Sequence, residues 1–123
     1  MIIGIDLGTT NSLVGCFADG NVRIFENRLG KKLTPSVVAI DEQDHILVGE
    51  LAKEYGYLHP DCAASAFKRT MGTDHAYVLK GKEYSSKELS SFVLRSLKED
   101  AEVALGREIT QAIVSVPAYL HDL

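Results

Sequence analysis

At 123 residues the chain is one domain's worth of polypeptide, able to bury roughly two-thirds of the surface its unfolded form exposes. Seventeen acidic against 13 basic residues leave a net charge of −4, and no basic cluster exceeds the pairs Lys31-Lys32 and Lys68-Arg69, which argues against a nucleic-acid surface. The composition, 46% hydrophobic and 24% charged, is that of a soluble globular protein; the apolar runs are too short for a membrane span, and the apolar start lacks the basic leader of a signal peptide.

In chain order, residues 2–7 read as a strand buried on both faces, followed by a Gly and small polar residues. Residues 13–17 and 21–25 flank Asp19-Gly20, a strong two-residue hairpin signal, so the first three strands form an antiparallel meander. Residues 26–35 are a polar connection, and residues 37–40 and 46–48 form a second short hairpin. A short helix is expected over 50–57, closed before His59-Pro60. A further helix is expected over 61–71, ended by Gly72. Residues 77–79 and 82–84 make a small hairpin around Lys80-Gly81.

The clearest helix starts near Ser85. Ser85 and Glu88 match a capping box, and Leu89, Phe92, Val93, Leu97, Ala101 and Ala104 recur at helical spacing. Gly106 stands at the expected stop. Residues 112–116 then read as a buried strand ended by Pro117, returned in parallel to the first sheet. Residues 118–123 follow with a turn and no covering helix, so the chain reads as a fragment. There are no repeats and no low-complexity tract.

The first loop carries the chemistry. In Ile3-Gly-Ile-Asp-Leu-Gly-Thr-Thr-Asn-Ser12, Asp6 stands where a metal's water shell can be held, and the amides of Gly8, Thr9, Thr10 and Asn11 can surround a phosphate. Spacing alone leaves an ordinary hairpin equally open. An ionisable residue inside an apolar run favours the phosphate loop, because a buried carboxylate without a partner is costly. Elsewhere the signals are weak. Lys68 reads as part of a solvated helix face, and Thr34-Pro-Ser36 as the start of a strand. His45, His59, His75 and His121 lack ligand spacing. Cys16 and Cys62 read as reduced structural thiols of a cytosolic protein. No arrangement supports ester, peptide or glycoside hydrolysis.

Together these elements resemble the DnaK-type molecular chaperones, the heat-shock seventy family. The resemblance runs from the first loop through Gly30, Thr34-Pro-Ser-Val-Val38, Leu47-Val-Gly49, Phe67-Lys-Arg69 with Gly72, and Val116-Pro-Ala-Tyr119, in the family's order across the whole chain. The short stretch between Gly72 and Tyr84, with the segment from Glu88 to Glu102, looks most like the HscC-like branch. Leu120-His121 departs from the Phe and small polar residue usual after the last element.

The resemblance implies an α/β fold, part of an actin-like (ribonuclease H-like) ATPase lobe. Residues 1–36 and 107–123 would belong to its core (IA) subdomain, and residues 37–106 to an inserted peripheral α+β (IB) subdomain. It implies ATP/ADP and Mg2+ as ligands of the full-length protein. Asp6 matches the residue that orients magnesium-bound waters; Gly8, Thr9, Thr10 and Asn11 match the first phosphate loop. Thr9 would lie near the terminal phosphate, and Lys68 would orient the attacking water and steady the transferred group, reversing its local reading. Pro117 matches a proline linked to interdomain coupling. Expected partners are unfolded polypeptide clients, a J-domain co-chaperone and a nucleotide exchange factor, in the cytoplasm, with neither nucleic acid nor membrane. The 123-residue piece is expected to be inactive alone and to self-associate. Two other readings share the first loop: an actin-like filament or cell-shape protein, and a sugar kinase.

Overall fold

A computed structural model describes residues 2–115; Pro117, the Val-Pro-Ala-Tyr element and His121 lie outside the described residues. Strand β1 (Ile2–Leu7) pairs antiparallel with β2 (Asn11–Ala18), which pairs with β3 (Asn21–Ile24) on one side and with the short β4 (Thr34–Pro35) beyond it. Asp19 and Gly20 both have positive φ, 52° and 77°, the conformation of the tight hairpin turn expected there. Strand β10 (Gln111–Ser115) lies parallel to β1, with Ile3 opposite Ala112 and Ile5 opposite Val114, so the expected parallel return is present.

A second sheet holds β5 (Val37–Ile40) between β6 (Ile46–Val48) and β7 (Ala63–Ser65). Helix α1 (Glu50–Leu58) packs on it. Strands β8 (Ala76–Leu79) and β9 (Lys82–Ser85) form a separate hairpin, turned at Lys80-Gly81. Helix α2 (Ser86–Leu105) contacts β1, β2, β5, β6 and β9.

Helix α2 starts where its sequence dictates. The Ser85 hydroxyl accepts from the Glu88 amide at 3.0 Å, and the Glu88 carboxylate accepts from the Ser85 amide at 3.0 Å, a reciprocal cap worth about 1 kcal/mol. Gly106, left-handed at φ 67°, ends it. Its apolar stripe of Leu89, Val93, Leu97 and Ala101 is fully buried and joins Ile3, Ile5, Leu7, Val14, Val38, Phe67 and Leu79 in one core. Each large aliphatic side chain so buried contributes about 1.5–3 kcal/mol.

Three expectations are corrected. Strand β1 is buried on one face only: Ile3, Ile5 and Leu7 face the core, whereas Ile2, Gly4 and Asp6 are exposed. The apolar letters Ile2-Ile3 hide a period of two, because α2 covers a single side of the sheet. Strand β10, at the edge of the sheet, is largely exposed rather than buried: Ile113 lies on the open side, and Ala112, opposite Ile3, is exposed as well. The expected helix over 61–71 is instead a 3₁₀ turn (Pro60–Cys62), β7 and a second 3₁₀ turn (Phe67–Thr70). Pairing of Ala63 and Ala64 with Ala39 and Val38 outweighs the helical preference of an Ala-rich segment.

Asp100 is the one buried charged residue among the described residues, 7% exposed on α2. Burial pushes its carboxyl pKa up, against the downward pull of the Arg28 guanidinium; the Glu99 carboxylate adds to the upward shift. Above that raised pKa the ionised form opposes folding, and the opposition fades as pH falls through it towards the ordinary carboxylate range. Asp100→Asn is therefore expected to stabilise the chain at neutral pH and to lose that advantage in acid. Urea unfolding at both pH values checks this; equal stabilities at neutral pH would contradict it.

Candidate functional site

The loop between β1 and β2 is held by its own shortness and by one serine. A Cβ on Gly8 would collide with the carbonyl oxygen of Asn11, so only glycine lets the chain turn this tightly. From the neighbouring segment the Ser36 hydroxyl donates to the Gly8 carbonyl at 2.8 Å, and the Ser36 amide donates to the Thr10 carbonyl at 2.9 Å. The Ser36 hydroxyl also lies 2.8 Å from that of Ser12. Both serines are buried. Pro35 opposite Asn11 and Thr34 opposite Ser12 complete the clamp.

The consequence is directional. The carbonyls of Gly8 and Thr10 are tied inward, while the amides of Thr9 and Thr10 donate to no protein group among the described residues. Amides left uncommitted in a turn offer donors to an anion. Thr9 is half-buried and Thr10 exposed. Both line a cleft of about 400 Å³ with Lys53 of α1, Tyr57, Ala66 and Arg69 among its other walls.

The remaining candidate residues sit apart from one another. Asp6 is exposed on the open face of β1, opposite Leu13 and Ser115. The premise of a buried carboxylate is thus corrected: Asp6 is in phase with Ile2 and Gly4, not with the core residues. Lys68 is half-buried on the second 3₁₀ turn, not on a helix face. It is Arg69, its neighbour, that lines the cleft beside Thr9 and Thr10. Phe67 anchors this turn in the core. The Thr70 hydroxyl meets the Phe67 carbonyl at 3.0 Å, the Tyr77 hydroxyl at 2.9 Å and the Ser86 hydroxyl. Among the described residues no group of three His, Cys, Asp or Glu side chains converges as a direct metal site. Cys16 is buried, Cys62 is half-buried, and both are free thiols.

Ser12 and Ser36 lie in motifs the sequence analysis singled out, yet it gave neither serine a role, because that role depends on a contact across 24 positions. Ser36→Ala strips the Gly8 carbonyl and the Ser12 hydroxyl of a buried partner, an expected loss of about 1–3 kcal/mol. Denaturant unfolding checks the size, and faster amide exchange at Thr9 and Thr10 checks the place. A change below about 0.5 kcal/mol, within the range of an ordinary surface substitution, would contradict the clamp.

Comparison with known proteins identifies the family. The family model described as Hsp70 protein matches residues 2–80 and 76–123. The chain is 46% identical to the chaperone protein DnaK of Thermotoga neapolitana and of Thermotoga petrophila, over 98% of its own length and 20% of theirs. It is 45% identical to that of Thermosipho melanesiensis, over the same shares. The chain thus spans about one fifth of the length of these relatives. The family model spans nearly the whole chain, and with this identity one conclusion follows: the chain belongs to the Hsp70 family.

Proposed function

We propose that the chain is the first part of an ATP-dependent molecular chaperone, which binds and hydrolyses ATP to drive binding and release of unfolded polypeptides. The carrying observation is the loop at Gly8, Thr9, Thr10 and Asn11, clamped by Ser36 with the Thr9 and Thr10 amides uncommitted among the described residues, in a chain of the Hsp70 family. The filament and sugar-kinase readings find no support in the family match.

Thr9 and Thr10 fit a phosphate: their amides are uncommitted and the cleft beside them has cationic walls. Bound ATP supplies the phosphoryl group to be transferred. Lys68 orients the attacking water and steadies charge on that group as a point cation, a role that needs positioning rather than covalent chemistry. Phe67 and the Thr70 hydroxyl contacts fix the turn that carries it. Asp6, a single exposed carboxylate, would hold Mg2+ through water. Pro117 is proposed for interdomain coupling.

We also propose the cytoplasm as the compartment, the HscC-like branch on the short stretch before Tyr84, and clients, a J-domain co-chaperone and an exchange factor as partners. No helix of the described residues is long and apolar enough to cross a membrane. Sheet membership supports a division into residues 1–36 with 107–123 and residues 37–106, although α2 packs on both sheets.

Half of a phosphate clamp lacks most of the electrostatics of transfer. The 123-residue chain is therefore expected to show no ATP turnover. A polypeptide continuing past Leu123 should turn over, and Lys68→Ala in it should slow the step at least about 100-fold. Steady-state phosphate release measures both, and equal turnover by the short and long chains would sink the reading. The open sheet face exposes Phe17 at 73%, with Val22 and Ile113 each at 69%, and a contiguous apolar patch of that kind favours association. Light scattering is expected to show dimers or larger species; a clean monomer that binds no hydrophobic dye would contradict this.

A further inference from the structure

The cleft beside the loop has a charge pattern opposite to that of the whole molecule. The chain carries −4, yet the charged residues lining this cleft are Lys53 and Arg69, with no carboxylate among its walls. They come from elements far apart in sequence, α1 and the 3₁₀ turn after β7. Among the described residues neither forms an ion pair. Two cations on one concavity repel each other and raise the local potential, a disposition that an anion relieves.

The backbone supports the same reading. Ala66, between β7 and the turn, is left-handed at φ 57° and ψ 19°. For a residue with a β carbon that costs about 1–2 kcal/mol. Strain of this kind persists where surrounding contacts over-determine it, here the buried Phe67 and the Thr70 hydroxyl contacts. Ala66 itself lines the cleft, and the turn it starts puts Arg69 there too. The floor is kept open by small residues, Gly56, Ala63 and Ala64.

We infer that Lys53 and Arg69 form a cationic wall of the phosphate-loop cleft and bind the outer oxygens of a polyphosphate, free or carried by a nucleotide. This rests on the reading of the loop as a phosphate site. Arg69 suits paired oxygens through its planar fork, and Lys53 supplies a point charge. The pair therefore contributes affinity for the more highly charged ligand, a role separate from that of Lys68.

Inorganic triphosphate titrated into the 123-residue chain, followed by amide NMR, tests this. In the unaltered chain the Thr9 and Thr10 amides and the Arg69 resonances should shift together. Arg69→Gln and Lys53→Gln should each weaken binding about fivefold. Lys87→Gln on α2 should leave it unchanged, and thermal unfolding of each variant should match the parent. Loop shifts with unchanged affinity in both variants would overturn the cationic wall and leave the loop reading standing. Shifts confined to Lys53 and Arg69, with the loop amides still, would overturn the loop reading. Absence of any binding would overturn both.

Discussion

The contact of Ser36 with the first loop is the constraint on which the rest of the site depends. A turn as short as Gly8-Thr9-Thr10 leaves several backbone groups without ladder partners, and each must be satisfied or hydrated. Ser36 takes the carbonyls of Gly8 and Thr10, at 2.8 and 2.9 Å. The amides of Thr9 and Thr10 are left without protein partners among the described residues, and free amides are what an anion needs. The same hydroxyl meets Ser12 in the core, so the loop's conformation is tied to the packing of the sheet beneath it.

Helix α2 plays the complementary part. Its stripe of Leu89, Val93 and Leu97 covers the Ile3, Ile5 and Leu7 side of β1, and its first residue, Ser86, reaches Thr70. The sheet that carries the loop and the turn that carries Lys68 and Arg69 are therefore registered against one helix. The division of labour is clean: apolar burial supplies most of the stabilisation, and a few buried hydroxyl contacts decide which backbone groups of the loop are engaged. The opposite face of the sheet has no such cover among the described residues, and there Phe17, Val22 and Ile113 stand exposed.

Much of this was legible in the chain. The turns at Asp19-Gly20 and Lys80-Gly81 are local chemistry, since few residues accept positive φ twice in succession, and both occur as expected. The capping box at Ser85 and Glu88 with the stop at Gly106 is equally local. The errors came where the signal was not local. Residues 61–71 look helical by composition, but β7 is made by its pairing with β5. Asp6 looked buried because its neighbours are apolar, yet alternation along β1 places it on the open side.

By itself, then, the sequence determined the hairpins, the capped helix, the tight glycine turn and the family, because each rests on neighbouring residues or on motif order. Tertiary structure alone decided which carbonyls of the loop Ser36 engages, which face of β1 is covered, and that Arg69 rather than Lys68 lines the cleft beside Thr9 and Thr10. Those outcomes depend on contacts between positions 28 and 16 residues apart, Ser36 with Gly8 and Thr70 with Ser86. No periodicity records such pairings, because the partners meet only once the core has formed.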